Sequence, residues 1–267
     1  ALVLAASALV VLTARDEEGA CPAWALAGSA LLAWLGVGLL LGGLSIAFDL
    51  PGLYCKRRNG TLSPMVWLYL GGWLLPYRGV WLLQHGLRVW CGRERKKDDR
   101  PYDLIAPRLL LGRLAWELPE PKGAPPVNMV IDMTCEWSEP PALRGVRRYV
   151  SVPVVDTTRP TVRQTRLAAR LAAEFLRDPD AGSVYIHCAN GWGRSAVVAA
   201  AVLLVDGTCR TAEDAVHMVY KARPVVTLRK KSEKSLCEGL SHAEILEAIA
   251  EDRTGSSSEE CSPSSSD

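Results

Sequence analysis

Hydrophobic and polar positions divide the chain at about residue 90, and the first part has the pattern of a membrane segment. Residues 19–48 carry no charge, and residues 23–48 form one continuous apolar stretch. About 20 apolar residues cross a bilayer as a helix, so this stretch predicts a transmembrane helix. Residues 1–14 are also apolar, and we predict that residues 1–50 form a transmembrane hairpin with spans at about 1–14 and 23–48. A signal peptide is the alternative for residues 1–14, although no basic region precedes them.

Residues 51–92 are rich in tryptophan but less regular. Residues that commonly interrupt helices occur within this segment: Pro64, Gly71, Gly72 and Pro76. Basic residues stand near both of its ends: Lys56, Arg57 and Arg58 on one side and Arg93, Arg95, Lys96 and Lys97 on the other. A further span would place these clusters on opposite sides of the membrane, contrary to the positive-inside bias. We therefore predict an interfacial or re-entrant segment, with a third span as the alternative, and a cytosolic location from Lys56 onward.

Residues 102–250 alternate between short β-branched runs and longer runs of helical period. The pattern predicts strands at residues 109–111, 127–133, 148–155 and 183–187. It predicts helices at residues 162–177, 195–205, 211–223 and 241–250. Such alternation indicates one α/β domain with a central, mostly parallel sheet flanked by helices. A charged linker at residues 93–101 precedes this domain, and a serine-rich tail at residues 251–267, predicted to be disordered, follows it.

Composition narrows the function classes. The 267 residues have a formal net charge of +2, and most of the charged side chains lie beyond residue 90. This division excludes a wholly soluble chain, a fully disordered chain and a polytopic transporter. The soluble part has no basic excess, so we predict no nucleic-acid partner. The 8 cysteines are scattered, with no CxxC pair and no histidine at metal-ligand spacing, so we predict no metal site and no cofactor.

One cysteine stands in a pattern that carries chemistry. The predicted strand at residues 183–187 runs into HCANGWGRS, residues 187–195, and an apolar helix follows directly. A short turn between a strand and a helix N-terminus can direct backbone N–H groups at an anion, and glycines let the turn fold tightly. We predict that this turn binds phosphate through Arg194 and the loop residues Ala189, Asn190, Gly191, Trp192 and Gly193. The arginine offers two parallel donors to phosphate oxygens.

The positive field of such a turn also favours an ionised sulfur at Cys188, which makes this residue the candidate nucleophile. We expect His187 to orient the loop by hydrogen bonding rather than to act as a base. We expect the Ser195 hydroxyl to lie near the sulfur and to stabilise the thiolate when it leaves phosphorus. A structural cysteine at a strand end beside a helix-capping arginine is the alternative.

The sequence HCANGWGRS resembles the HCxxGxxR(S/T) signature of the cysteine-dependent protein tyrosine phosphatases, and the compact domain is similar to their dual-specificity branch. The resemblance covers residues 102–240. It implies a membrane-anchored phosphatase that acts on phosphotyrosine, phosphoserine or phosphothreonine in proteins. It also implies a general acid about 30 residues before the cysteine, and Asp156 lies 32 residues before Cys188. The rivals for this role are Asp132, Asp178 and Asp180.

The resemblance also leaves alternatives open. In the family an Asn after the closing arginine supports the phosphate loop, and here Arg229 stands at that position. A catalytically weak pseudophosphatase that only binds phosphate is therefore a second hypothesis.

A phospholipid phosphatase is a third hypothesis, of the phosphatidylglycerophosphate or phosphoinositide type. Lipid phosphatases of this superfamily often carry lysine in the loop, and its absence here disfavours highly phosphorylated inositides. Sulfurtransferases and arsenate reductases share the bare Cys-x5-Arg spacing, but the surrounding His, Gly, Ser and Asp favour a phosphatase.

Overall fold

A computed structural model of the chain describes residues 2–14, 20, 22–90, 100–228 and 241–259. Its strands are β1 (Tyr102–Ala106), β2 (Leu109–Arg113), β3 (Val127–Thr134), β4 (Arg148–Val154) and β5 (Ser183–Cys188). They form one sheet in the order β1-β2-β5-β3-β4. β1 pairs antiparallel with β2, and the other three pairings are parallel. The predicted α/β domain with a mostly parallel sheet is confirmed, with β1 as an edge strand that the sequence pattern did not indicate.

The helices of the domain follow the predicted pattern closely. They are α4 (Pro141–Arg144), α5 (Val162–Arg177), α6 (Arg194–Val205), α7 (Ala212–Ala222) and α8 (His242–Glu259). α5 begins at a capping box in which the Thr161 hydroxyl accepts from Gln164 N and the Gln164 side chain accepts from Thr161 N. α7 begins at Thr211, whose hydroxyl accepts from Asp214 N. α8 continues to Glu259, into the segment that we predicted to be a disordered tail.

The main core lies on one face of the sheet. Alternate strand residues such as Leu109, Leu111 and Ile186 point to this face, where α5, α6, α7 and α8 cover them. α6 is apolar on all sides, and every residue from Arg194 to Leu204 is buried. The opposite face carries Leu110 and Tyr185 and is covered by α4 and by loops. The buried central strands are thus enclosed on both faces, as a parallel sheet requires.

The first part of the chain contains α1 (Leu2–Thr13), α2 (Ala23–Ala47), a 3₁₀ helix (Pro51–Tyr54) and α3 (Val66–Trp90). α3 is continuous through Pro76, where we expected an interrupted segment. Gly71 and Gly72 lie where α3 meets α2, and a Cβ added to Gly38 would lie 2.7 Å from the Cα of Gly72. Gly71 and Gly72 therefore allow close helix packing rather than a break. Among the described residues, α2 is the one helix that is long and apolar enough to cross a membrane.

α3 and the loop before it pack against the carboxyl ends of the sheet strands. Side chains of this segment share a buried apolar cluster with Cys135 and Val155 of the domain: Tyr54, Leu62, Val66, Leu70 and Leu74. Lys56, which we interpreted as part of a basic cluster that sets membrane orientation, is buried instead, and its ammonium contacts the Asp132 carboxylate. Arg57 and Arg58 are exposed. The first part of the chain and the α/β domain therefore share a core.

Candidate active site

Three parallel strands bring the candidate site together at their carboxyl ends. Cys188 is the last residue of β5, Glu136 follows β3, and Asp156 follows β4. Arg194 begins α6 directly after the turn of residues 189–193. Because parallel strands end at the same edge of a sheet, residues distant in sequence meet there. We name residues 188–194 the phosphate loop and residues 155–161 the acid loop.

The sulfur of Cys188 points into the phosphate loop. It accepts hydrogen bonds from Gly191 N and from the Ser195 hydroxyl, each at 3.2 Å. Gly191 has a φ of +71°, and a Cβ there would lie 2.4 Å from the carbonyl carbon of Gly112. This position therefore requires glycine for two reasons, the backbone conformation and the close approach of β2. Gly193 has a negative φ and fewer close neighbours, so the need for glycine at this position is weaker.

The electrostatic environment favours the thiolate. Burial opposes ionisation of Cys188, but the Arg194 guanidinium and the hydrogen bonds from Ser195 and Gly191 outweigh it, so the pKa of this thiol is lowered. Cys135 provides a contrast within the same site. Burial and the neighbouring Glu136 carboxylate raise the pKa of the Cys135 thiol well above its usual value. Of these two buried cysteines, Cys188 is the one whose surroundings favour the thiolate.

Arg194 is held in place by three partners. Its two terminal nitrogens donate to the two carboxylate oxygens of Glu136, at 3.0 and 2.9 Å. One nitrogen also donates to Val154 O at 2.8 Å, and the other donates to Asp156 Oδ1 at 2.7 Å. Glu136 is a site residue that sequence reasoning missed. The available signal was a carboxylate directly after a predicted parallel strand.

Asp156 has a second partner that lies far away in the sequence. The hydroxyl of Tyr77 in α3 donates to Asp156 Oδ2 at 2.8 Å. Tyr77 lies in the segment that we predicted as a membrane element, and no motif in the sequence connects it with the domain. The structure thus brings together Cys188, Arg194 and Asp156, as the sequence predicted, and adds a tyrosine from outside the domain.

The phosphate loop is supported from the segment that follows α7. Arg223 donates to Gly191 O at 3.0 Å and to Asp103 Oδ2 at 2.7 Å. Thr227 N donates to Trp192 O at 2.9 Å. Arg229, which stands where the resemblance implies a loop-supporting Asn, lies outside the described residues. Arg223 and Thr227 therefore support the phosphate loop within the described part of the chain.

His187 belongs to a buried charge cluster behind the phosphate loop. Its Nε2 lies 3.1 Å from Glu139 Oε1. Burial opposes a charge on this ring, but Glu139 and Asp132 outweigh it and raise the pKa of His187 to about 9. The Lys56 ammonium, acting against burial, holds the pKa of Asp132 well below its usual range. A raised pKa disfavours a role for His187 as a base at neutral pH, and its orientation of the loop by hydrogen bonding stays a prediction.

The same cluster has the donor atoms of a metal site. Ligand atoms of Asp132, Glu139 and His187 all lie within 4.8 Å of one another. Lys56 already bonds to Asp132 and to Thr134, and a protonated His187 faces Glu139. Two cations thus balance two carboxylates, so this cluster is suited to a structural role.

The rival acids and the other residues of the phosphate loop differ in their burial and contacts. Asp132 is fully buried and accepts from Tyr149 at 2.6 Å, so it serves the core rather than the site. Asp178 and Asp180 lie in an exposed turn after α5. Ala189 is buried against Trp81, Leu114 and Trp137, whereas Asn190, Trp192 and Gly193 are partly exposed.

No family model matches the chain, and no curated protein matches it significantly. Solved structures do match. Tk-PTP in its active form is 23% identical over 57% of this chain and 97% of its own, with a TM-score of 0.43. Human DUSP28 is 19% identical over 58% of this chain and 95% of its own, with a TM-score of 0.41. PTPMT1 in complex with PI(5)P is 21% identical over 59% of this chain and 99% of its own, with a TM-score of 0.45.

The dual-specificity class that the HCANGWGRS motif resembles is represented among these matches. Similarity at this level of identity concerns the fold alone, and the chemistry of this chain follows from its own residues.

Proposed function

We propose that this chain is a membrane-anchored phosphatase that hydrolyses phosphomonoesters through a cysteinyl-phosphate intermediate. One observation carries the proposal. The Cys188 sulfur accepts two hydrogen bonds within a turn that leads into a helix N-terminus, beside the buried Arg194 guanidinium. These are the conditions under which a cysteine is ionised at neutral pH and attacks phosphorus.

In the first step the Cys188 thiolate attacks phosphorus, the P–S bond forms, and the ester P–O bond breaks. Arg194 and the loop N–H groups neutralise the charge on the non-bridging oxygens. Asp156, in its protonated form, gives its proton to the departing oxygen, so the product leaves as an alcohol or a phenol.

In the second step Asp156 takes a proton from water, and the oxygen of that water attacks phosphorus. The P–S bond breaks, inorganic phosphate leaves, and the electron pair returns to sulfur as a thiolate. The Ser195 hydroxyl, 3.2 Å from the sulfur, stabilises that thiolate by hydrogen bonding. The positive charge comes from Arg194 and backbone dipoles, so the mechanism uses no metal and no cofactor.

The membrane location is part of the proposal. The apolar helix α2 supports a transmembrane anchor, with α1 as its partner in a hairpin. The exposed Arg57 and Arg58 that follow α2 support a catalytic domain on the cytosolic side. α3 lies against the domain and supports the interfacial interpretation rather than a third span.

Phosphorylated proteins are the first substrate class that we propose, following the family resemblance. A specific observation favours phospholipids as a second candidate. α3 contacts the acid loop through Tyr77 on one side, whereas Leu68, Leu75 and Leu83 on the same helix are more than half exposed. An apolar exposed face beside a transmembrane helix is typical of contact with lipid. The site would then lie about one helix diameter, roughly 10 Å, from lipid headgroups.

The test uses the full chain in lipid nanodiscs with p-nitrophenyl phosphate as the substrate. We expect turnover by the native chain, none by Cys188→Ser, competitive inhibition by orthovanadate and no effect of EDTA. Activity that survives Cys188→Ser, or that EDTA removes, would overturn the mechanism. Orthovanadate binding without turnover would support the pseudophosphatase hypothesis instead.

The substrate class is tested by comparing two substrates at equal phosphate concentration. Phosphotyrosine and phosphoserine peptides are compared with vesicles of phosphatidylcholine that contain phosphatidic acid. Preferential release of phosphate from the peptides supports a protein phosphatase, and preferential release from the vesicles supports a lipid phosphatase. Cys188→Ser is the control for both substrates.

A further inference from the structure

The acid loop is attached to the membrane segment at three points. Val155 is fully buried in the apolar cluster formed mainly by the 3₁₀ helix, the loop after it and α3. The Thr158 hydroxyl donates to Asp49 Oδ1 at 2.9 Å, just beyond the end of α2. The Tyr77 hydroxyl donates to Asp156 Oδ2 at 2.8 Å. The loop that carries the candidate acid is therefore enclosed by residues from outside the α/β domain.

The contact of Tyr77 with Asp156 is specific. A phenol has one proton to donate, and Asp156 Oδ2 at 2.8 Å is nearer than Glu136 Oε1 at 3.4 Å. The other carboxylate oxygen, Asp156 Oδ1, accepts from Arg194. Each oxygen of this carboxylate is thus held by a different element, one by α6 and one by α3.

These two contacts differ in what happens when a substrate binds. A phosphate dianion in the loop competes with Asp156 for the Arg194 nitrogens, because the guanidinium has a limited number of donors. The contact of Tyr77 with Asp156 involves no group that binds phosphate. Once the Arg194 nitrogen that donates to Asp156 Oδ1 donates to the phosphate instead, Tyr77 is the polar partner that keeps the Asp156 carboxyl within reach of the leaving oxygen.

Tyr77 is itself fixed by its surroundings. Its ring packs against Trp73 and Trp137, with centroids 5.7 and 6.5 Å apart. The next residue, Arg78, donates to Glu136 O at 2.7 Å and lies over the rings of Trp67 and Trp137. The position of the hydroxyl is therefore set by the docking of α3 on the domain.

From this geometry we infer that Tyr77 is a positioning residue for Asp156, and that α3 of the membrane segment completes the catalytic site. This inference rests on the proposed function, in which Asp156 protonates the leaving group. Its consequence is that the membrane segment has a role beyond anchoring. Loss of the Tyr77 hydroxyl alone would loosen the acid loop, because that hydroxyl donates to Asp156 and not to Cys188, Arg194 or the phosphate loop.

The test compares Tyr77→Phe with Tyr69→Phe in the full chain in nanodiscs. Tyr69 is the matched control, since it lies on the same helix and its hydroxyl donates to Leu53 O at 2.7 Å, away from the site. Two substrates are used, phenyl phosphate and p-nitrophenyl phosphate. Phenolate leaves poorly without a proton and nitrophenolate leaves readily, so only the first reaction depends strongly on the acid.

We expect Tyr77→Phe to lower kcat for phenyl phosphate about tenfold, the effect of one hydrogen bond to a carboxylate. The effect on p-nitrophenyl phosphate should be less than threefold, and KM should stay the same for both. Tyr69→Phe should change none of these quantities.

Equal slowing of both substrates by Tyr77→Phe, or no slowing of phenyl phosphate hydrolysis, would overturn the inference. Hydrogen exchange of the acid-loop amides gives a second measurement that does not need turnover. Tyr77→Phe should speed exchange at residues 155–161 and leave exchange at residues 188–194 unchanged, and unchanged exchange in the acid loop would also overturn it. If the native chain has no phosphatase activity, the proposed function fails, and the exchange data still decide whether Tyr77 holds this loop.

Discussion

The guanidinium of Arg194 and the carboxylate of Glu136 form a bidentate pair, with nitrogen-to-oxygen distances of 2.9 and 3.0 Å. Such a pair fixes the plane of the guanidinium. Glu136 is fixed in turn, since one of its oxygens accepts from Cys135 N at 3.0 Å. The orientation of the arginine is therefore set by β3 and not by the loop alone.

We predict that Glu136→Gln lowers kcat/KM about 10- to 100-fold, because the amide cannot accept two charge-assisted hydrogen bonds. The measurement is the steady-state hydrolysis of p-nitrophenyl phosphate by the full chain. Glu174→Gln is the control, since Glu174 lies on the exposed side of α5 and contacts Arg148 at 3.8 Å. A Glu136→Gln variant as active as the control would mean that Arg194 orients itself without Glu136.

A second prediction concerns selective oxidation. Mild peroxide should convert Cys188 to a sulfenic acid first, because the thiolate is the form that reacts and the pKa of this thiol is lowered by Arg194 against the effect of burial. Burial raises the pKa of Cys135 and Cys209, so these thiols should react later. The measurement is mass spectrometry after trapping with dimedone. Activity should return on treatment with a thiol, and trapping at Cys135 before Cys188 would contradict the assignment of the nucleophile.

The sequence predicted those parts of the molecule that depend on local pattern. The four parallel strands, the helices α5 to α7 and the phosphate loop each follow from periodicity, capping or glycine placement within a short window. The loop and its candidate nucleophile were predictable for the same reason, because strand, turn, arginine and helix are contiguous from Ser183 to Val205. Predicting contiguous elements requires no knowledge of tertiary packing.

Residues that act across the fold were not predictable in this way. Glu136 meets Arg194 only because β3 and β5 are neighbours in the sheet. Tyr77 meets Asp156 only because α3 docks on the carboxyl ends of the strands, and its surrounding sequence has the composition of a membrane segment. Lys56 was misinterpreted for a related reason, since a lysine that follows an apolar stretch is typical of a membrane boundary.

A third prediction tests the burial of Lys56. Lys56→Met should lower the free energy of unfolding by about 3–5 kcal/mol, because it leaves the buried Asp132 carboxylate without its cation. Arg57→Met is the matched control, since Arg57 is the exposed neighbour and should change stability by about 0.5 kcal/mol or less. The measurement is urea unfolding of the full chain in one detergent. Equal stabilities of the two variants would mean that Lys56 does not neutralise Asp132.

The last prediction follows from His187 and its partner Glu139. Because the carboxylates of Glu139 and Asp132 outweigh burial and raise the folded pKa of His187 to about 9, folding favours the protonated ring. The unfolded ring has a pKa of about 6.5, so this stabilisation is complete below that pH and is lost as the pH rises through 9. The free energy of unfolding should therefore fall by about 3 kcal/mol between pH 6.5 and pH 9, at about 1.4 kcal/mol for each pKa unit.

Urea unfolding of the full chain at several pH values across this window measures the slope. Glu139→Gln should flatten it, because the amide no longer attracts the imidazolium that lies 3.1 Å away. His242→Gln is the control, since burial lowers the pKa of His242 to about 4 and this ring stays neutral throughout the window. A slope that persists in Glu139→Gln would assign the titration to another group. A native chain with constant stability from pH 6.5 to pH 9 would mean that His187 is neutral, and the charge balance of the buried cluster would then rest on Lys56 alone.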